Sequence, residues 1–370
     1  MTQALELAKK GAGAVHPNPL VGALIVRDGT VIGRGHHAFA GGPHAETEAI
    51  ADAHAHGHSD LTNALLYVNL EPCCHHGKTP PCTGAIIASG IQTVVAGMTD
   101  PNPLVAGKGI NALASAGISV ITGILEAECR EVNRIFIKFI SFRKPFVLLK
   151  SALSLDGKIA SVTGESKWIS CEASRADVHC LRSEYTAVMC GINTILADNP
   201  SLDVRLAGGR NPSRIILDSN LRIPLDSVIV QSAGEIPTIV ACAETPSGGQ
   251  GDHLSSKRKD LEDAGITVIQ VREKNGRLNL KELMAKLGER GIDSILLEAG
   301  STLAFSALKE GIVDKVRFYI APLIIGGCQA ASAVGGAGFP SLASACRIAN
   351  LRSFPSGTDL CVEGDICLPE

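Results

Sequence analysis

The chain has 370 residues, 45% of them hydrophobic and 19% charged, with a formal net charge of −3. That length suffices for two domains with their own cores, and neither half carries the excess of Lys and Arg that binding a nucleic-acid backbone calls for. Only 4% of the residues are aromatic, no apolar run approaches a membrane span, and the 12 cysteines lack the spacing of a disulfide-stapled fold, so a soluble cytoplasmic protein is expected.

In chain order, residues 1–13 alternate Leu and Ala with Glu6, Lys9 and Lys10 as an amphipathic helix, without the continuous apolar stretch of an export signal. The patterns that follow predict a strand over 21–26, a helix over 45–55, a strand over 64–70, a helix over 82–89, a strand over 93–96, a helix over 110–116 and a strand over 119–122. This alternation is that of a layered α/β domain. A helical stretch from about Leu125 is stopped by Pro145, which places a boundary between domains 1–144 and 145–370. The second half opens on the apolar run 146–149, and further strands are expected over 187–190, 214–217, 238–241, 267–271, 294–297, 316–321 and 360–366. Helices are expected between them over 172–182, 254–264 and 280–288, and the Gly-rich segments near 208–209, 247–251 and 326–338 read as loops.

The densest chemistry lies in Pro43-His44-Ala45-Glu46, Pro72-Cys73 and Cys82. A zinc ion that activates water needs three protein ligands and one open position, and one imidazole with two thiolates is a suitable set: His44, Cys73 and Cys82. Glu46, two residues past His44, is placed to move protons between the water and a leaving amine without being a ligand. This is the H-x-E and P-C-x-x-C pattern of zinc deaminases, except that eight residues separate the two thiols instead of two. An inserted loop offers His75 and Lys78 to a substrate, and Thr79-Pro80-Pro81 marks a helix start that places Cys82 in a first turn, where the helix dipole favours its thiolate. Cys74 reads as a core or loop residue, and His54, His56 and His58 as a solvated helix end.

In the second half, the strand ending Leu296-Leu297-Glu298 runs into the turn Ala299-Gly300 and a helix start at Ser301-Thr302-Leu303, whose free N–H groups suit a phosphate. An ordinary strand-to-helix connection reads the same way, but an uncompensated Glu298 at the end of a buried strand is costly and points to function. Trp168, the only tryptophan, defaults to plain core, and Arg182 to a solvated helix face.

Together, Asn18-Pro19-Leu20-Val21-Gly22, His44-Ala45-Glu46, Pro72-Cys73 with His75-His76-Gly77-Lys78-Thr79-Pro80-Pro81-Cys82, Asp100-Pro101-Asn102, Ser154-Leu155-Asp156-Gly157, Trp168-Ile169, Asp198-Asn199-Pro200-Ser201-Leu202 and Glu298-Ala299-Gly300 resemble the bifunctional riboflavin-biosynthesis deaminase/reductase family over the whole chain. The resemblance implies an α/β architecture with a cytidine-deaminase-like three-layer domain first and a dihydrofolate-reductase-like domain second. It implies one Zn2+ per chain and hydrolytic removal of the ring amino group of a diaminopyrimidinone carrying a phosphoribosylamino group. NADPH-dependent reduction of the ribosyl group to ribityl follows. Asn18, His37, His75, Lys78 and Thr79 match the deaminase substrate pocket, with Asp100 and Asn102 at the ribosyl phosphate end. His36-His37 doubles a single histidine of the family, and its spacing to His44 favours His37. Ala152, Trp168, Thr194, Asp198, Ser219 and the turn Gly300, Ser301, Thr302 and Leu303 match cofactor contacts. Ser166, Arg182, Leu202, Arg205 and Glu298 match the reductase substrate site, with Lys150 a further participant by position.

The expected partners are small phosphorylated pyrimidines, with no nucleic acid or membrane, and the expected assembly is a dimer or tetramer of identical chains. A nucleic-acid deaminase would show basic patches interleaved with aromatics, and a non-catalytic zinc module would need neither Glu46 nor an open ligand position. A working deaminase joined to a reductase-like domain without turnover is the remaining alternative.

Overall fold

The computed structural model describes residues 1–75, 80–244, 251–274 and 276–367, with the backbone alone at 251–254. The chain divides into two compact units, Met1–Arg143 and Lys144–Glu370.

The first unit runs α1 (Thr2–Lys9), β1 (Gly22–Arg27), β2 (Thr30–His36), α2 (Ala45–Ala55), β3 (Leu65–Val68), α3 (Cys82–Ala88), β4 (Thr93–Ala96), α4 (Lys108–Ser115), β5 (Ser119–Thr122), α5 (Glu126–Val132) and α6 (Arg134–Phe142). Among the described residues its sheet is ordered β2-β1-β3-β4-β5, antiparallel through β3 and parallel beyond it. Glycines show why helices cover both faces. A Cβ on Gly22 would come within 2.1 Å of the Ala4 carbonyl of α1, and one on Gly35 within 2.2 Å of the Ala45 carbonyl of α2. Gly22 pairs with His36 and Gly35 with Ala23, so the two glycines belong to alternate positions on opposite faces, which makes three layers. Apolar residues of β1, β3, β4 and α2 fill the core.

Strand β2 is absent from the sequence reading because Gly33, Arg34, Gly35 and His36 break the apolar alternation; the glycines are there to let α2 lie against the sheet. The helical stretch before the boundary is two helices, broken at Asn133. Its buried side chain accepts from Leu20 N at 2.8 Å and donates to Leu20 O at 3.0 Å.

The second unit runs β6 (Phe146–Ser154), α7 (Glu172–Glu184), β7 (Ala187–Gly191), α8 (Ile192–Asp198), β8 (Ser213–Leu217), α9 (Val228–Gln231), β9 (Thr238–Ala243), α10 (Gly251–Asp263), β10 (Thr267–Val271), the short pair β11 (Glu273–Lys274) and β12 (Arg277–Leu278), α11 (Leu280–Glu289), β13 (Ser294–Glu298), α12 (Ser301–Lys309), β14 (Lys315–Ala321), β15 (Arg347–Ser356) and β16 (Asp359–Cys367). Its large sheet is ordered β10-β9-β8-β7-β13-β6-β14-β16-β15, parallel from β10 to β14 and antiparallel at β16 and β15. The parallel strands are nearly continuous apolar runs, as expected where both faces are covered, and two clusters of buried residues occupy the two sides. Strand β15 escaped the sequence reading because most of its residues are exposed and carry no core-facing alternation. The chain goes from β6 to β7 and later inserts β13 between them, so the carboxyl ends of these strands surround a crevice. No helix among the described residues is long and apolar enough to cross a membrane.

Candidate active sites

In the first unit, the start of α2 and the start of α3 meet beside the chain leaving β3. His44 caps α2 in an extended conformation, Cys82 is the fully buried first residue of α3, and Cys73 lies between them. His44 Nδ1 stands 3.2 Å from Cys82 Sγ and 3.5 Å from Cys73 Sγ, and the three ligand atoms all lie within 4.8 Å of one another. A tetrahedral zinc with ordinary bond lengths sets nitrogen and sulfur roughly 3.5 Å apart, so the cluster fits that ion.

The hydrogen bond from Cys82 holds Cys73 down at about 4, and the same bond, with burial, pushes Cys82 up. A bound divalent cation takes both sulfurs as thiolates. Cys74 is half-buried and outside the cluster; His54 and His56 are exposed at the end of α2, as expected, whereas His58 lies past the helix and is partly buried.

Glu46, in the first turn of α2, is 3% exposed; burial first, then the charge on Cys73, raise its carboxyl to about 7. A carboxyl poised there can both accept and return a proton near neutrality. His37 donates from Nδ1 to Pro43 O at 2.9 Å and accepts at Nε2 from the Asn18 amide at 3.1 Å, while its ring meets that of His44 edge-on at 5.3 Å. Burial lowers its pKa, so the neutral ring is favoured.

His75 is partly exposed, and its Nδ1 is buried without a partner among the described residues. Asp100 is buried, within electrostatic reach of Glu71, His75 and Cys73, and burial raises it to about 6. Its Oδ1 accepts from Asn102 N at 2.8 Å. Lys78 and Thr79 lie outside the described residues.

Sequence reasoning missed Glu71. Its buried carboxylate accepts four backbone N–H groups, from Asp100 (3.0 Å), Gly107 (2.9 Å), Gly109 (2.9 Å) and Ile110 (3.1 Å), which fastens the 100–107 segment to the ligand-bearing chain at Pro72-Cys73. The available signal was a carboxylate at the end of an apolar strand.

In the second unit, a cleft of about 1330 Å³ opens at the carboxyl ends of β6, β7, β8 and β13. Every position flagged for this half lines it: Ala152, Trp168, Thr194, Asp198, Ser219 and the turn from Gly300 to Leu303, and equally Ser166, Arg182, Leu202, Arg205, Glu298 and Lys150. Glu298 is not uncompensated. Arg182 grips it with Nε at 2.6 Å and Nη2 at 3.1 Å, and Lys150 Nζ stands 3.7 Å away. Burial would raise the Glu298 carboxyl, but Arg182 and then Lys150 pull it down to about 2. Arg182 is accordingly not a solvated helix residue, and its Nη1 also donates to Asp203 O at 3.0 Å.

Trp168 is not core either. It is 67% exposed on the cleft wall, with the Arg175 guanidinium 4.8 Å from its ring centre. Arg205 is exposed; its backbone N–H reaches His179 Nδ1 at 3.3 Å, a histidine that also lines the cleft and carried no motif. Gly300 caps α12 in an extended conformation, with open space where a Cβ would stand, so backbone and ligand can come close. This helix start, with the hydroxyls of Thr194 and Ser219, is a donor set suited to a dinucleotide cofactor.

Comparison with known proteins places both halves. Residues 1–98 match the cytidine and deoxycytidylate deaminase zinc-binding region, and residues 145–362 match the RibD C-terminal domain. The riboflavin biosynthesis protein RibD of Actinobacillus pleuropneumoniae is 44% identical over 369 residues, covering 100% of this chain and 95% of the relative. That of Escherichia coli is 40% identical over 88% of each chain. Among solved structures, Acinetobacter baumannii RibD superposes with a TM-score of 0.84 at 36% identity, covering 99% of this chain and 97% of the other. A diaminohydroxyphosphoribosylaminopyrimidine deaminase/5-amino-6-(5-phosphoribosylamino)uracil reductase from Thermotoga maritima gives the same TM-score and coverage at 38% identity.

Proposed function

This chain belongs to the RibD family of riboflavin-biosynthesis enzymes, a zinc-dependent deaminase joined to an NADPH-dependent reductase, and from that premise we propose which residues act and on what. The first unit deaminates 2,5-diamino-6-(5-phosphoribosylamino)pyrimidin-4-one to 5-amino-6-(5-phosphoribosylamino)uracil. The second reduces the ribosyl group of that product to ribityl.

Zinc held by His44, Cys73 and Cys82 supplies a Lewis acid that lowers the pKa of water. Glu46 takes the proton of the attacking water and delivers it to the departing amine, so that it leaves as ammonia. The neutral His37 ring, fixed by Pro43 and Asn18, shapes the wall beside His44, and Asn18, His75, Lys78 and Thr79 bind the pyrimidine. Asp100, whose N–H Glu71 accepts, and Asn102, whose N–H Asp100 accepts, stand at the ribosyl phosphate end.

NADPH supplies the hydride that reduces the open-chain form of the sugar. The start of α12 receives the cofactor's pyrophosphate, and Ala152, Trp168, Thr194, Asp198 and Ser219 complete its bed. Ser166, Leu202 and Arg205 hold the substrate, with Arg205 giving its exposed guanidinium to the phosphate. Arg182 and Lys150 keep Glu298 ionised toward the sugar. The substrates are free metabolites of the cytoplasm, with neither nucleic acid nor membrane as a partner, and the working form is an oligomer of identical chains.

The observation that carries this reading is the convergence of His44, Cys73 and Cys82 with the buried Glu46 beside them. The test is to incubate purified protein with the diaminopyrimidinone ribosyl phosphate, first alone and then with NADPH. Ammonia is expected in the first case and NADPH oxidation only in the second; oxidation without prior ammonia release would reverse the order of steps.

A further inference from the structure

We infer that Arg222 makes the second cleft select a dinucleotide bearing a 2′-phosphate on its adenosine ribose over one with a free hydroxyl there. This rests on the NADPH reading above and names the residue that carries it.

The argument begins at the end of β8. A site built for an unmodified ribose offers a carboxylate to its two hydroxyls, but the carboxylate that follows β8, Asp218, does not line the cleft. Asp218 is fully buried, and its Oδ2 accepts from Ile223 N at 2.8 Å, so the carboxylate is folded into its own turn. Arg222, four residues on, lines the cleft instead, next to Ser219 and Asn193.

Arg222 is half exposed, at 49% of its side chain. Its Nη2 donates to Asn193 Oδ1 at 2.9 Å, which fixes the guanidinium plane while leaving other N–H groups to a ligand. The nearest carboxylate, Asp218, is 4.0 Å from Nε, too far for a hydrogen bond that would saturate the charge. A dianionic phosphate monoester is the ligand such a fork receives best, through parallel charge-assisted bonds. A hydroxyl in the same place would leave the cation with little to gain.

Position agrees with chemistry. In the sheet, β7 separates β8 from β13, whose end leads into Gly300 and α12. Two strand spacings are roughly 10 Å, a span that the adenosine half of a dinucleotide covers when its pyrophosphate sits at the helix start. A second cation, Arg277, also lines the cleft, but its Nη1 is turned to Ser306 Oγ on α12 at 2.7 Å.

The experiment is calorimetric binding of 2′,5′-ADP and 5′-AMP to the full chain and to Arg222→Ala, Arg222→Gln and Arg277→Ala, with circular dichroism to verify folding. The wild type is expected to prefer 2′,5′-ADP, and both Arg222 variants to lose roughly 10- to 100-fold in affinity for it while binding 5′-AMP unchanged. In reduction, the same variants raise KM for NADPH and leave that for NADH unchanged. Equal weakening of both nucleotides, no weakening, or a selective loss only in Arg277→Ala overturns the assignment. A wild type that binds NADPH and NADH equally defeats this inference alone, whereas one that binds neither defeats the reductase reading on which it rests.

Discussion

The two units hold their chemistry at different scales. In the first, three ligand atoms lie within 4.8 Å of one another; in the second, a cleft of about 1330 Å³ draws side chains from the ends of four strands. The first is built from one imidazole and two sulfurs whose spacing suits a single cation. In the second, the Glu298 carboxylate is compensated by Arg182 and Lys150, while the exposed Arg205 and Arg222 leave cationic charge on the cleft wall. A point-like site should therefore fail at once when any ligand is changed, and a distributed cleft should lose binding by increments.

The sharpest way to break that contrast is at the sulfurs. Cys73→Ser and Cys82→Ser should each strip most of the zinc and with it deamination, while Cys74→Ser keeps both; metal analysis of the purified variants decides, and equal zinc in all three would refute the ligand set. Glu46→Gln should retain zinc yet slow deamination by roughly 10²- to 10⁴-fold, the usual worth of a positioned acid/base. Loss of metal in that variant would make Glu46 a ligand.

In the second unit, pH probes the ion triad at Glu298. The folded Glu298 carboxyl, at about 2, lies below its ordinary 4.5, so its stabilisation is complete above about 4.5 and is lost as pH falls from there toward 2. The difference corresponds to roughly 3 kcal/mol. Urea unfolding between pH 6 and 3 should show the second unit weakening more in the wild type than in Glu298→Gln, and parallel curves would deny the ion triad a part in stability. The smallest effect is expected at the exposed Arg205: Arg205→Ala should raise KM in the reduction by roughly tenfold and leave deamination untouched. A change confined to deamination would dissolve the division of labour between the units.

Much of the first site was readable because its parts are local. His44 and Glu46 are two residues apart at one helix start, and Cys73 and Cys82 flank a single loop, so short-range pattern and ligand chemistry suffice. What remained hidden depends on distant partners. Glu71 carries no motif in the sequence, and the four N–H groups it receives come from residues 29 to 39 positions later. Glu298 reads as uncompensated in the sequence because Arg182 lies 116 residues before it, and the same pairing takes Arg182 off the solvated helix face that is the default for such an arginine. For Trp168 a lone aromatic defaults to core, and only the family resemblance pointed to the cleft that it lines.

The sequence by itself determined the α/β rhythm of both halves and the H-x-E and paired-cysteine pattern from which the zinc ligands and the proton carrier are proposed, because periodicity and coordination chemistry act over a few residues. Only the tertiary structure decided that Gly33 and Gly35 form a strand pressed against α2, that Asp218 is folded away while Arg222 faces the cleft, and that Glu298 sits between two cations. The reason is physical: close backbone approach and charge compensation belong to the packing of segments far apart in the chain, and no local pattern records which segments will meet.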